Sequence, residues 1–232
     1  MAKAAADEAA RLMREAIAAR GRARIVVATG SSQIEFLESL VTAPDMAWDQ
    51  VELFHLDEYI ELSGGHPASF HHYIRERILA RVPVGRAWLL EGAADPEEEC
   101  KRVGEAIAAA PIDVAFAGIG ENGHLAFNDP PADFDTEEPF IVVDLAERGR
   151  QQQVREGWFA SLEEVPRTAI TMSIRQILKS RAILCLASGA RKAEAVKLCL
   201  AGDIGPMAPA SALRLHENST VFLDREAAAL LH

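Results

Sequence analysis

The chain has 232 residues, 49% of them hydrophobic and 25% charged, with a formal net charge of −11. That composition excludes a disordered chain, and the acidic balance without a long basic run excludes a phosphate-backbone binder of the usual kind, so no nucleic-acid partner is expected. No apolar stretch reaches the roughly 18 residues of a membrane helix, which excludes a helical membrane span. Residues 1–24 form an amphipathic pattern that carries acids and lacks the apolar core and cleavage site of a secretory signal, so they read as a surface helix. Next, "ARIVVATG" (23–30) is a β-branched run stopped by glycine, a buried strand. A helical pattern follows over 31–43, in which Ser32 and Glu35 also fit a capping box. "VELFHLDEY" (51–59) reads as one strand, 66–82 as a helix with His71 and His72 partly exposed, and 86–92 as a short strand. At 95–110 Asp95 is the expected N-cap, with Pro96 at the first helical position and acids in the first turn. "PIDVAFAGIG" (111–120) is a strand. The alternation continues through 168–178, 182–189, 190–202 and 219–231.

Strands and helices that alternate in this way, with near-continuous apolar strands, imply an α/β fold. It is expected to be a mostly parallel sheet with helices on both faces, in one domain spanning 1–232. The less regular region 129–167 is either a flap over the site or a long surface connection. Three widely spaced cysteines, Cys100, Cys185 and Cys199, offer neither a disulfide framework nor a CxxC site and point to a reducing cytoplasm.

In such sheets ligands gather beyond the carboxyl ends of the strands, and four polar strand exits stand there in the sequence. The first, Thr29, Gly30, Ser31 and Ser32, leads into a helix start, where free N–H groups and the helix dipole bind anions. No Walker lysine and no GxGxxG accompany it, so neither nucleoside triphosphates nor dinucleotides are expected. The second places Asp57 and Glu58 at the end of an apolar run, where Asp57 is either a general base or a turn cap. The third is "AGIGENGHLAFNDP" (117–130). Gly118, Gly120 and Gly123 permit a tight loop with amides facing a ligand. His124 can move a proton near neutral pH, with Asn122 and Asp129 as neighbours to fix its tautomer or orient it. In the fourth, Arg191 and Lys192 open a helix against its dipole, a cost that an anionic ligand would offset. His66, His71 and His72 lack metal-site spacing, and no metal is expected.

Together "ATGSS", "LDEYIEL…HPASF", "GIGENGHLAFNDP" and "ASGARKAEAV", in that order over residues 28–196, resemble the glucosamine-6-phosphate deaminase (isomerase) family. That family shares a superfamily with 6-phosphogluconolactonase. The resemblance implies a modified doubly wound α/β sheet and a reaction without metal or organic cofactor, in which glucosamine 6-phosphate and water give fructose 6-phosphate and ammonia. It implies that Asp57 shuttles a proton between C2 and C1 through an enolamine, and that His124 opens the sugar ring at its ring oxygen. Asn122 stands where relatives have Asp or Asn, and Asp129 where the family usually has Glu, one methylene longer. Residues Thr29, Gly30, Ser31 and Ser32 with Lys192 match phosphate-binding positions. A further phosphate arginine falls between 148 and 158, with Arg155 the better alignment and Arg150 the second. The implied partner is a small hexosamine 6-phosphate and the implied assembly a monomer or small homo-oligomer. The chain is short at both ends against typical deaminases, so allosteric control is not expected. The alternatives are a galactosamine-6-phosphate isomerase and a 6-phosphogluconolactonase. Asp57-Glu58-Tyr59 and the Leu-Ala-Phe-Asn-Asp-Pro after His124 depart from the lactonase patterns DER and GHxASLFP.

Overall fold

A computed structural model describes residues 1–231. Six strands form one parallel sheet: β1 (Ala23–Val27), β2 (Val51–His55), β4 (Arg86–Trp88), β5 (Val114–Gly118), β8 (Ile183–Ala187) and β9 (Ser219–Leu223). Their spatial order is β4-β2-β1-β5-β8-β9, every neighbouring pair parallel. Three strands, β3 (Asp57–Tyr59), β7 (Thr168–Met172) and β6 (Phe140–Asp144), form a second, antiparallel sheet in the order β3-β7-β6.

The large sheet is buried on both faces, which is why its strands read as apolar runs rather than alternating ones. Along β1, Ile25 and Val27 join a core with α1 (Ala2–Arg20) and α2 (Ile34–Val41), whereas Val26 joins the opposite core with Val103 and Ile107 of α4 (Pro96–Ala108). The first core is close-packed because α1 presents small residues, Ala5, Ala6, Ala9 and Ala10, to the sheet side, and α1 stops at Gly21 in the left-handed region (φ 73°). Asp95 caps α4 as expected, accepting from the Glu97 and Glu98 amides. At the far end of α4, the buried guanidinium of Arg24 donates to the carbonyls of Ala106, Ile107 and Ala110 and pairs with Glu52. That satisfies carbonyls otherwise orphaned where the helix stops. The remaining helices are α3 (Phe70–Ile74), α5 (Glu147–Arg155), α6 (Ile174–Leu178) and α7 (Ala193–Ala201). No helix among the described residues is long and apolar enough to cross a membrane.

Six expectations need correcting. Residues 51–59 are not one strand: the chain leaves the large sheet after His55 and enters the small one at Asp57. Leu56 is the joint, its amide donating to Val27 of β1 and its carbonyl accepting from Met172 of β7. Residues 66–82 are not one helix: α3 passes into a π-helical turn, Arg75–Leu79. His71 is not exposed; it is 8% accessible and sets Nδ1 3.1 Å from Glu91. The Ser32–Glu35 capping box does not form, because residues Ser31–Gln33 make a 3-10 turn without a side-chain cap, and the Ser32 hydroxyl accepts from Ser188 (3.2 Å). Strand β4 is shorter than 86–92, and residues after β9 are turns rather than helix. All three cysteines are free.

Candidate active site

Strands β2, β1, β5 and β8 are consecutive in the large sheet, so their carboxyl-end loops meet. A cleft lies there. Its wall includes Thr29, Gly30, Ser31 and Ser32 after β1, Asp57 after β2, His124 after β5 and Lys192 after β8.

Asp57 is 5% accessible and its Oδ1 has no hydrogen-bond partner among the described residues. Burial, reinforced by the charge of Glu58, pushes its carboxyl well above the usual aspartate range. Glu58 itself is an anchor. Its carboxylate accepts from the Ser69 hydroxyl (2.7 Å), from the Phe70 and His71 amides at the start of α3 (3.2 and 2.7 Å) and from the Tyr59 amide (2.9 Å). These bonds fasten β3 to α3 and so fix the backbone that carries Asp57.

The loop after β5 is shaped by its glycines. A Cβ at Gly120 would fall 2.2 Å from His124 Nε2, and Gly123 has φ 85°, a conformation that excludes most side chains. Asn128 closes the loop from behind, its amide donating to the carbonyls of Leu125 and Met172. Asn122 and Asp129 stand behind His124 rather than in the cleft wall. Asn122 Oδ1 accepts from the His124 amide (3.2 Å), and Asn122 Nδ2 donates to Asp129 Oδ1 (2.7 Å). His124 Nδ1 approaches the same Asp129 Oδ1 at 3.3 Å, although its direction falls short of a full hydrogen bond. Asp129 Oδ2 accepts from the Ala146 amide at the start of α5 (2.9 Å). Burial raises the Asp129 carboxyl, but His124, Asn122 and the Ala146 amide outweigh it and leave the group below its usual value. The shorter acid therefore does reach the imidazole, and Gly149 accommodates it: a Cβ there would lie 3.3 Å from Asp129 Oδ2.

The fourth exit divides its two cations. Arg191 turns to Glu121 (3.3 Å), while the buried Lys192 lines the cleft and makes no side-chain hydrogen bond among the described residues. Burial pushes the Lys192 ammonium below the ordinary lysine value, and the nearby Glu156 and Glu121 offset that only in part. The amides of Gly189 and Ala190 are already taken by Asp224 and Glu226. Of the two cations at this exit, the lysine is therefore the one in the cleft wall.

Neither arginine singled out in the sequence lies in the cleft wall. Arg155 ends α5 and pairs with Glu121; Arg150 donates to the carbonyls of Leu162 (2.6 Å) and Val165 (2.8 Å) and braces the following loop. From the same region Gln152, Gln153 and Glu156 line the cleft, and Gln33 does so from the first turn. Sequence reasoning missed these four. The only mark available was a glutamine-rich patch on a helix with a polar face.

The arrangement combines a dry carboxylate, an imidazole backed by an acid, and a cation facing a hydroxyl-rich turn. It can hold an anionic tail and move protons at two points of the attached molecule. Comparisons with known proteins agree with that chemistry. The family described as "Glucosamine-6-phosphate isomerases/6-phosphogluconolactonase" matches residues 1–222. A glucosamine-6-phosphate deaminase of Bacillus cereus (strain B4264) is 36% identical over 226 residues, 97% of this chain and 84% of that protein. One from Bacillus anthracis (strain A0248) is 37% identical over the same length. A solved monomeric glucosamine-6-phosphate deaminase superimposes with a TM-score of 0.89 at 36% identity, covering 99% of this chain and 97% of that one. A 6-phosphogluconolactonase from Shewanella baltica OS155 shares the fold, with a TM-score of 0.79 at 22% identity over 96% and 94% of the two chains. On these matches the chain belongs to the glucosamine-6-phosphate isomerase/6-phosphogluconolactonase family of enzymes.

Proposed function

We propose that this chain is a glucosamine-6-phosphate deaminase, converting glucosamine 6-phosphate and water to fructose 6-phosphate and ammonia without a cofactor. One observation carries the reading: Asp57 and His124, from different strand exits, line one cleft with Lys192 and the 29–32 loop. In this reading the loop and Lys192 hold the phosphate, and that remote binding energy orients the sugar. His124 moves the proton that opens the ring, with Asp129 and Asn122 setting its orientation. Asp57 takes the proton from C2 of the open chain, giving an enolamine, and returns it to C1. The resulting C2 imine adds water and releases ammonia. Arg155 joins the phosphate grip only if it leaves Glu121. Region 129–167, which supplies α5 and its glutamines, is the covering flap.

Ammonia release from glucosamine 6-phosphate, measured beside acid release from 6-phosphogluconolactone, tests the assignment. Ammonia from the amino sugar is expected, and acid from the lactone alone would overturn it. Running galactosamine 6-phosphate in the same panel fixes the C4 epimer accepted. We further read the enzyme as a cytoplasmic monomer of amino-sugar breakdown. The monomeric state of the solved deaminase supports this, and sedimentation checks it.

Asp129→Asn is expected to lower kcat by roughly tenfold or more with little change in KM, because an acid behind an imidazole fixes its tautomer and stabilises its charged form. Asp129→Glu should retain more activity than Asp129→Asn. Equal activity of Asp129→Asn and wild type would remove Asp129 from the proton path.

A further inference from the structure

Gln33 ends the 3-10 turn that follows the 29–32 loop, and it is 1% accessible. Its Nε2 donates to the carbonyl of Ala117 on β5 at 3.0 Å. Its Oε1 is buried, lies in a side chain that lines the cleft, and has no partner among the described residues. The amide cannot be reversed without setting two carbonyl oxygens against each other, so the oxygen is the atom left over. Gly118 gives the side chain its room: a Cβ there would lie 3.4 Å from Gln33 Nε2.

A buried acceptor left unpaired is costly, and a ligand that supplies a donor recovers that cost. The donor cannot come from the dianion of a sugar phosphate ester, whose phosphate oxygens carry no hydrogen. It must come from the carbon chain beyond the phosphate. We propose that Gln33 is a specificity residue that accepts a hydrogen bond from a sugar hydroxyl between the phosphate and the reacting carbons. This rests on reading the cleft as a sugar-phosphate site. It gives the turn two separable tasks: its loop holds the anion, and its last side chain reads the polyol.

The test is calorimetric binding of glucitol 6-phosphate, an open chain that cannot react, and of its 3-, 4- and 5-deoxy forms, to wild type and to Gln33→Met. Methyl phosphate, an ester dianion without a donor, is the control. One deoxy form is expected to bind wild type about 3- to 10-fold more weakly, the worth of one neutral hydrogen bond. In Gln33→Met that same deletion should cost nothing further, while the methyl phosphate Kd stays the same in both proteins. Equal losses in both proteins for every deoxy form would overturn the proposal. So would a wild type indifferent to all three deletions, a result that does not depend on the variant folding. If glucosamine 6-phosphate releases no ammonia while the polyol phosphates still bind, the deaminase reading fails and the Gln33 result stands on its own.

Discussion

Asp57→Asn is expected to cut kcat by about 10²- to 10⁴-fold, the usual worth of a positioned general base, while binding of glucosamine 6-phosphate stays within about threefold, as it should for a group whose work lies in the transition state. Asparagine fills the same space and keeps an oxygen where Oδ1 now stands without a partner, but it cannot accept a proton. The raised pKa adds two signs. The base works ionised, so kcat/KM should climb with pH along a limb lying above the ordinary aspartate value. In stability the sign is opposite. A carboxyl whose folded pKa is raised opposes folding once the pH passes its unfolded value, and the penalty grows until the folded pKa is reached. At neutral pH the asparagine variant should therefore melt higher than the wild type while turning over far less, a trade often met at active sites. A variant that loses affinity in step with rate would mean that Asp57 holds substrate rather than moving its proton.

Lys192→Met is expected to raise KM for the sugar phosphate by about 10- to 100-fold, the worth of one hydrogen bond from a charged donor. The empty protein should behave differently. Burial lowers the folded pKa of Lys192, so the unfolded chain holds this proton more tightly. Stability then rises with pH between the folded and unfolded lysine values, and at neutral pH the ammonium is a cost. Methionine lifts that cost without emptying the space. About 1 kcal/mol recovered in a chain of this size corresponds to a melting point roughly 2–4 °C higher. Inorganic phosphate should raise the melting point of the wild type and leave that of the variant nearly unchanged. Undiminished phosphate inhibition of Lys192→Met would take the lysine out of the anion site.

The residues legible in the sequence were those with local signatures. Glycines in the 117–130 loop announce backbone that no other residue fits, as the clash of a Cβ at Gly120 with His124 bears out. The cleft-lining positions at the four exits follow from strand order, since β2, β1, β5 and β8 are adjacent. What stayed hidden depends on contacts distant in sequence. Val51, Leu53, Phe54, Leu56 and Tyr59 keep the run 51–59 β-forming on both sides of the break, so nothing marks Leu56 as the place where the chain changes sheets. His71 reads as a polar helix residue because its partner Glu91 is twenty positions away. Arg155 aligns with a phosphate-binding position of the family, and its ion pair with Glu121 is not visible in the sequence. Gln33 passes for an ordinary first-turn residue until Ala117 is seen to hold one end of its amide.

The change of sheet at Leu56 has a consequence for how this scaffold adapts. Asp57 rides on the small antiparallel sheet, whereas the phosphate loop, His124 and Lys192 hang from the large parallel one. In the proposed reaction the reach from reacting carbon to anchored tail is therefore set by how the two sheets pack, joined on this strand at a single residue and elsewhere through a shared core. Repacking the seam between them would tilt one against the other and retune the length of molecule accommodated, with every proton-moving and anion-holding side chain left as it is.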